Sequence, residues 1–493
     1  MEFIANFPFF CIMIAMVGGI VSSVLKPKIA QKLNVIVVGT CFLLSVTLLI
    51  YLNINPQSFT YMMGHYEAPW GNEIRFGPLE ALMATVLSLV MFIINISERE
   101  RVLQNVPEEK MHLFYLMMNL LLSSTFALIY TNDLFTAYVF IEINTLCACG
   151  FVMAKETGKT IAATIKYLIM SLLGSGLFLL SIILIYDLTG HLLMPNVKES
   201  LEILVTNQNY QLPITVIVIL LAVGIAIKSA LFPFHSWVPN AYNRAMNLSN
   251  ALSAGLVLKS YIILLIKFFY RVLGLEIVKQ LQVTNLLFFF GILAMVIGSI
   301  DALNEKNIKR MLAYSSIAQI GYIFTAIGIG TLDGFIAACF IMMVHSLAKP
   351  MLFSACEGLM VVSNNTKNIN ELKGSARRNK IAGLAFTIGA FSTIGFPMLA
   401  GFTSKYLLAF AGITAKTQMW YVLIAISIST VLNAIYFLRV IIIIYTKDEE
   451  NNEVVKNSKS YLTGMTMFII INLFLGFFNT TTLQIIKQGL ELL

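Results

Sequence analysis

The chain has 493 residues, of which 58% are hydrophobic and only 12% are charged, and its formal net charge is +8. A soluble globular protein is about one-quarter charged, so a water-soluble enzyme of any fold is excluded. Intrinsic disorder is excluded as well, because that state requires low hydrophobicity and high net charge. Apolar runs of about 20 residues, the length that crosses a bilayer, recur along the sequence and predict an all-α polytopic membrane protein.

Taken in chain order, the apolar runs predict about fourteen membrane-spanning helices. Spans 1 to 3 form an N-terminal three-helix segment, residues 1–110, and span 14 forms a C-terminal helix within residues 447–493. A β-barrel is excluded, because its strands would alternate between apolar and polar residues. The predicted spans lie near residues 4–24, 34–53, 77–97, 111–131, 133–154, 162–186, 213–236, 248–266, 284–303, 311–330, 334–362, 381–410, 419–446 and 461–486.

Lysine and arginine residues are concentrated in the loops that follow odd-numbered spans. Lys26 and Lys28 follow span 1, and Lys309 and Arg310 follow span 9. The positive-inside rule therefore predicts a multi-pass protein of the cytoplasmic membrane with these loops inside and both termini outside. Because this bias accounts for the net charge, no nucleic-acid partner is predicted.

Several ionisable residues lie inside the predicted spans, where a charge at the bilayer centre costs about 2.5–3.5 kcal/mol or more. Such residues face the protein interior, pair with one another and mark ion or proton routes. Glu142, Lys228 and Lys259 lie deep within apolar sequence, which favours a functional role. For several others, anchoring at the membrane surface or helix packing is the competing explanation. The remaining ionisable residues in or beside spans are Lys166, Lys349, Lys405, Arg439, Asp133, Asp301, Glu357, His235 and His345.

Two predicted spans are interrupted by proline close to a lysine. In span 7, Lys228 is followed by Pro233 and His235, and in span 12, Pro397 precedes Lys405. Proline removes a backbone donor and clashes with the preceding turn. Broken helices at membrane depth are tolerated only inside protein or beside a wet cavity, and in repeat-built transporters they mark the ion site. Each break therefore predicts a buried lysine next to backbone that water can reach.

Six strings of sequence carry a family resemblance. In order, they are Asn132–Glu142, Lys228–Pro239, Ser253–Lys259, Ile308–Ile317, His345–Lys349 and Gly401–Lys405. Together they resemble the antiporter-like subunits of respiratory complex I, the Mrp cation/proton antiporters and the membrane-bound, energy-converting hydrogenases. A lysine at position 405 and the residues around Glu142 are most similar to the Mrp D-type subunit and its hydrogenase counterpart.

The resemblance implies an architecture of two inverted five-helix repeats, each with one broken helix. The first repeat would comprise spans 4–8 in residues 111–270, and the second spans 9–13 in residues 284–446. The sequence departs from the family pattern at Asn247, Asn307 and Pro350. The proline follows Lys349 directly, where relatives more often have a small residue, and makes the geometry of span 11 an open question.

The resemblance also implies a row of charged residues at mid-membrane depth. In this row Glu142 pairs with Lys228, and Lys259 is the central relay. The row is continued by His345, Lys349 and Lys405, and the residues in supporting positions are His235, Pro233, Pro397, Asp133 and Lys166.

These features predict a proton-translocating subunit of an Mrp-type antiporter or of a complex I-like or energy-converting hydrogenase complex. Whether the chain also transports Na⁺ stays open. Its partners would be homologous antiporter-like subunits, small membrane subunits and the lipid bilayer. No cofactor or metal site is predicted, because the six cysteines lack the spacing of iron–sulfur ligands. A stand-alone solute carrier and a non-conducting structural subunit are the alternatives, and the parent complex stays open.

Overall fold

The structure, a computed structural model, is a bundle of long helices. It describes residues 2–66, 71–206, 210–448 and 456–493. Within these ranges, thirteen helices are long and apolar enough to cross a bilayer. Two 15-residue helices separated by a short break add a further crossing. The all-α polytopic fold and the predicted number of spans are therefore confirmed.

The observed spans follow the predicted order. Their bounds are Phe7–Val24, Pro27–Ile54, Pro78–Ser97, Met111–Tyr130, Leu134–Met153, Gly158–Thr189, Gln211–Lys228 with Trp237–Arg244, Asn247–Leu273, Val283–Asn304, Ile308–Gly328, Leu332–Val361, Lys380–Ile394 with Ala400–Thr414, Met419–Tyr445, and Lys459–Phe477 with Thr480–Glu491. Shorter α-helices lie between spans at Glu2–Ala5, Arg99–Asn105, Met194–Thr206, Leu275–Gln280 and Ser375–Arg378. Single 3₁₀ turns lie at Met63–His65, Glu108–Lys110, Phe234–Ser236 and Ile369–Leu372.

The face of the bundle at which span 1 begins is named face A here, and the opposite face is face B. On face A, β1 (Phe59–Met62) and β2 (Glu73–Phe76) form an antiparallel hairpin that joins spans 2 and 3. The backbone of Asn132, between spans 4 and 5, bonds to Glu73 at 3.0 Å and to Met194 at 2.9 Å. The hairpin, this connection and the helix Met194–Thr206 therefore form one continuous layer on face A.

Spans 8, 10 and 11 form the centre of the bundle. The most apolar stretch of span 8 is 100% buried, and those of spans 10 and 11 are 89% and 94% buried. Span 13, at 28%, belongs to the periphery. The side chains of Lys259 on span 8 and Lys349 on span 11 are therefore enclosed by protein.

The breaks predicted in spans 7 and 12 are present. The first half of span 7 ends at Lys228, and its second half begins at Trp237. In span 12, the first half ends at Ile394 and the second begins at Ala400. Both breaks place a buried helix end beside a lysine.

Span 8 extends further than predicted, and this corrects the reading of two cations. The helix continues to Leu273 rather than ending near residue 266, so Lys267 and Arg271 lie inside the bundle and not in a loop. It also contains two π-helical turns, Ser253–Val257 and Phe269–Leu273. Wider turns of this kind are rare and occur mostly at functional sites.

Span 14 is broken as well, which was not predicted. Its first half ends at Phe477, and a second helix, Thr480–Glu491, follows. The two halves pack along opposite ends of span 3, because Gly464 approaches Ser97 and Gly489 approaches Leu79. Span 14 therefore runs antiparallel to the whole of span 3. Residues 449–455, at the start of the predicted C-terminal segment, lie outside the described residues.

Span 11 remains one continuous helix through Pro350. An internal proline clashes with the preceding turn and needs free space around its ring. That space is next to Gly255 of span 8, where an added Cβ would lie 2.7 Å from the proline ring. The proline therefore sits in a close contact between spans 8 and 11 and does not break the helix.

Candidate functional site

Glu142 and Lys228 form an ion pair at the break of span 7. The Glu142 Oε1 atom lies 3.9 Å from Lys228 Nζ. The lysine is 1% exposed, whereas 23% of the glutamate side chain is exposed at the edge of the chain. The pairing implied by the resemblance is therefore present in the geometry, as a loose contact with one partner near the surface of the subunit.

Two hydroxyl groups connect Lys228 to span 8. Lys228 Nζ donates a hydrogen bond to Thr145 Oγ1 at 2.8 Å. That oxygen lies 3.1 Å from the hydroxyl of Tyr261, whose ring centroid is 5.5 Å from the ammonium. Neither Thr145 nor Tyr261 was predicted, since a hydroxyl partner far away in sequence leaves no local pattern.

Lys259 lies at the buried centre of span 8, directly after the first π-helical turn. Its side chain is 1% exposed, and Nζ reaches back along the helix to the carbonyl oxygen of Ala254. Four residues earlier in span 8, an added Cβ on Gly255 would lie 2.7 Å from the ring of Pro350, which follows Lys349 in span 11. The central lysine therefore lies on a helix that packs closely against the helix of Lys349.

Lys349 is held by hydroxyl groups of spans 10 and 13. Its Nζ donates to Ser315 Oγ at 2.7 Å, and that oxygen lies 2.9 Å from the hydroxyl oxygen of Tyr436. The Tyr436 hydroxyl donates to Asn433 Oδ1 at 2.8 Å. This polar chain lies among helices that are otherwise apolar.

Lys405 spans the break of span 12. Its Nζ donates to the carbonyl of Ile394, the last residue of the first half-helix, at 2.7 Å. It also donates to Thr430 Oγ1 of span 13 at 2.8 Å. The carbonyls at a helix C-terminus have no partner within the helix, so the break itself supplies one ligand of the ammonium.

His345 and Lys405 line one small void between spans 11 and 12, together with Gln319 and Ser392. About 10 Å³ of this void is open to the centre of a water molecule, which is roughly the room that one water needs. Both ring nitrogens of His345 and the Ser392 hydroxyl face no hydrogen-bonding partner among the described residues. One water can therefore link the histidine to the lysine.

The structure brings Glu142 to Lys228 and His345 to Lys405, while Lys259 and Lys349 are buried on spans 8 and 11 with polar partners of their own. This set of six residues is named the charged row below. Its members are Glu142, Lys228, Lys259, His345, Lys349 and Lys405.

The predicted supporting residues lie outside the charged row. Asp133 caps the N-terminus of span 5 by accepting from Thr136 N at 2.6 Å. Lys166 is exposed on the outer side of span 6. Pro233 and Pro397 are exposed in the two breaks. These four positions shape or flank the path, and none of them is a link in it.

His235 occupies the break of span 7 on the face B side of Lys228. Its ring stacks on that of Phe232 at 5.4 Å, and its Nδ1 atom has no hydrogen-bonding partner among the described residues. The histidine is therefore held in the break by ring stacking.

A further charged cluster on face B was only partly anticipated. Glu98, directly after span 3, pairs with Arg101 at 3.3 Å, and Glu357 accepts a short hydrogen bond from Asn247. Burial raises the pKa of the Glu98 carboxyl. Lys309, counted with the loop cations above, is buried and donates to a backbone carbonyl at 2.7 Å.

Comparison with known proteins matches residues 131–433 to the family described as "NADH:quinone oxidoreductase/Mrp antiporter, TM". Among curated relatives, the "NADH-quinone oxidoreductase subunit N" of Desulforudis audaxviator is 29% identical over 80% of this chain and 77% of the relative. The "Putative antiporter subunit mnhD2" of Staphylococcus epidermidis is 29% identical over 98% and 94% of the two chains.

Solved structures share the fold over the whole chain. A chain of the archaeal membrane-bound sulfane sulfur reductase superposes with a TM-score of 0.87 at 24% identity, covering 100% of this chain and 97% of the other. A chain of the Mrp complex from Dietzia gives 0.87 at 19% identity, with 99% and 97% coverage. The family match includes every member of the charged row, and it confirms the resemblance inferred from the six strings. The chain belongs to the family of membrane subunits shared by NADH:quinone oxidoreductases and Mrp antiporters.

Proposed function

We propose that this chain is the proton-translocating subunit of a multisubunit membrane complex and that the charged row carries the protons. The observation that supports this most directly is the burial of three lysines, Lys228, Lys259 and Lys349, each 1% exposed or less, of which the first and the last bond to hydroxyl groups. Charges within a membrane are costly and are retained for ion pathways. A purely structural subunit does not require three buried lysines.

The Glu142–Lys228 pair is the proposed control point. A carboxylate next to an ammonium stabilises its charge, and moving the carboxylate away removes that stabilisation. At 3.9 Å the pair is near the limit of direct contact, so a small displacement of span 5 or 7 opens it. The proton of Lys228 then passes through Thr145, Tyr261 and water towards Lys259.

Lys259 passes the proton to the second half of the row. His345 and Lys349 are carried by span 11, which packs against span 8 where Gly255 meets Pro350. The water-sized void then connects His345 to Lys405 at the break of span 12. The free energy for this transfer comes from redox chemistry or an ion gradient elsewhere in the complex.

The partners and orientation follow from the same proposal. The two relatives described above bear names of complex subunits, which supports other membrane subunits as partners of this chain. The two inverted repeats, spans 4–8 and 9–13, are supported by the one broken helix found within each group. The cation-rich loops on face B support a cytoplasmic location for that face and an outside location for both termini.

The test is transport by the intact complex, purified and reconstituted in proteoliposomes with a pH-sensitive dye inside. Lys228→Met and Glu142→Gln are each expected to lower proton transport at least about tenfold, as the loss of a positioned proton carrier does. Lys166→Met, a lysine exposed on span 6, is the matched control and is expected to retain transport.

The possible outcomes separate the alternatives. Near-normal transport in an assembled Lys228→Met complex would refute the assignment. Uptake of an organic solute by the purified chain alone would instead identify a stand-alone carrier. Counter-transport of radioactive Na⁺ that disappears with Lys228→Met would place both ions in this chain.

A further inference from the structure

A second group of buried charges lies at the face A end of span 8, outside the charged row. It consists of Glu80 on span 3 and Lys267 and Arg271 on span 8, each 2% exposed. Arg271 and Glu80 form a close ion pair. These three residues are named the face A cluster. Two cations and one carboxylate are thus enclosed in protein, an arrangement that costs desolvation energy unless each charge is well compensated.

Lys267 is bound by the end of span 4. Its Nζ donates to the carbonyls of Leu128, Ile129 and Thr131 at 3.2, 2.8 and 2.5 Å. These carbonyls have no partner within their own helix, so the contact caps span 4. An arginine or a neutral donor could cap it equally well, so capping alone does not account for a titratable group in this position.

Towards the membrane centre, the cluster borders a small void. Glu80 and Lys267 line it with Ile263, Cys339 and Met342, and about 10 Å³ is open to the centre of a water molecule, the room that one water needs. Lys267 follows the central lysine of the row by eight residues, about 12 Å along the helix. His345 follows Met342 by one turn of span 11. The void therefore lies between the cluster and the middle of the charged row.

Towards face A, the cluster borders a much larger cavity. Arg271 lines a cavity of about 350 Å³ together with Arg75, Lys198, Glu199 and Glu202. The helix Met194–Thr206, which contributes three of these residues, covers the second π-helical turn of span 8. With both charge signs in its walls and this volume, the cavity is suited to hold several waters next to Arg271.

We propose that Lys267 and Glu80 form a branch of the proton path that connects Lys259 to the aqueous phase at face A. This inference rests on the proposed function, because it needs a proton at Lys259 to pass on. It assigns the cluster a role in transport, with Arg271 favouring the ionised form of Glu80 so that the carboxylate does not retain the proton.

Each step moves one proton and the charges balance. The Lys267 ammonium gives a proton to the Glu80 carboxylate, which leaves a neutral amine and a neutral carboxyl group. Glu80 releases that proton to water in the face A cavity and becomes a carboxylate again. The amine of Lys267 takes up a proton that arrives from Lys259 through water in the void. After one cycle the cluster is unchanged, and one proton has reached face A.

The first experiment measures proton transport by the reconstituted complex. Lys267→Arg keeps a cation that can cap span 4, but an arginine does not give up its proton. Lys267→Arg and Glu80→Gln are each expected to lower transport at least about tenfold. Glu276→Gln, an exposed carboxylate on face A, is the control and should transport as the unaltered complex does.

Lys228→Met is measured beside these variants to separate the two proposals. If Lys228→Met abolishes transport while Lys267→Arg and Glu80→Gln stay near normal, the branch is overturned and the cluster only holds helices together. If Lys228→Met transports normally, the proposed function fails first, and the accessibility experiment then decides whether a wet branch exists.

The second experiment measures water access and needs no transport. Single cysteines are placed at Ile263, which lines the void, and at Ile262, which is buried beside it, with the six native cysteines replaced by alanine. After transfer into D₂O, the S–H stretch of Ile263→Cys is expected to shift to the S–D frequency in infrared spectra at least about tenfold faster than that of Ile262→Cys, because water reaches only the former. Asn196→Cys, exposed on the helix Met194–Thr206, gives the exchange rate of a fully hydrated thiol. Equal exchange rates at Ile263→Cys and Ile262→Cys would overturn the branch.

Discussion

At the scale of single residues, hydroxyl groups decide whether the buried lysines form a path or remain separate. Thr145 is the only described hydroxyl within hydrogen-bonding distance of Lys228 Nζ, and it also contacts Tyr261 on span 8. Ser315 has the corresponding position between Lys349 and Tyr436. An ammonium in hydrocarbon surroundings needs such partners, because leaving it without them costs about 1–3 kcal/mol or more.

Replacing Thr145 tests this link directly. Thr145→Val keeps the shape of the side chain but removes the oxygen between Lys228 and Tyr261, so transport by the complex should fall several-fold, in line with a loss of about 1–3 kcal/mol. Thr145→Ser keeps the oxygen and should transport normally. Proteoliposome transport measured on both variants, at equal amounts of assembled complex, gives the comparison. Equal transport by the two would show that the proton takes another route.

The lysines were accessible to prediction and their partners were not. Lys228 and Lys259 stand out because a charge within an apolar run is visible locally. Thr145 and Ser315 look like any hydroxyl on a helix, and their role depends on contacts with residues 83 and 34 positions away. Lys267 and Arg271 were placed in the loop after span 8 because the predicted span ended near residue 266, whereas the buried helix continues to Leu273.

At the scale of helices, close contacts between glycines set the position of Lys228. Gly174 of span 6 and Gly224 of span 7 face each other, and a Cβ on either would lie within 2.8 Å of the other's carbonyl oxygen. A Cβ on Gly174 would also lie 3.1 Å from the Lys228 side chain. Spans 6 and 7 therefore pack backbone to backbone, as small residues permit in membranes, and this packing holds the Lys228 side chain against span 6.

Two glycines of span 6 provide a matched pair for this contact. Gly174→Ala forces spans 6 and 7 apart and should destabilise the protein by about 1–3 kcal/mol, as overpacking does, with reduced transport because the Glu142–Lys228 pair shifts. Gly176→Ala, where nothing lies within 4 Å of the added methyl group, should be neutral or stabilising by up to about 1 kcal/mol. Thermal unfolding of the purified complexes measures the difference. A Gly174→Ala complex as stable as the Gly176→Ala complex would show that the two helices can separate without cost.

Of the three helix breaks, two were predictable from the local sequence, and the third depends on a contact between helices. Those of spans 7 and 12 were predictable, since Pro233 and Pro397 are local signals. The break of span 14 follows Phe477 without a proline, where Gly476 meets the backbone of Met398 and Leu399 in the break of span 12. One irregular backbone segment thus packs on another, and no sequence pattern in span 14 alone reports it.

At the scale of the whole molecule, the two faces differ in the cavities and charged groups that a proton would meet. Face A carries the hairpin, the helix Met194–Thr206 and the cavity beside Arg271. Face B carries the buried Glu98, Arg101 and the loop cations. The direction of proton movement is therefore tied to which face is cytoplasmic, and the distribution of lysine and arginine supports our proposal that this is face B.

Cysteine labelling in sealed vesicles tests that orientation. Lys306→Cys, exposed on face B between spans 9 and 10, should react with a membrane-impermeant maleimide only from the cytoplasmic side, and Asn196→Cys on face A only from outside. The six native cysteines are buried, so the unaltered chain gives the background. The reverse pattern would place both termini in the cytoplasm and invert the proposed path, so that the branch through Lys267 and Glu80 would deliver protons inward.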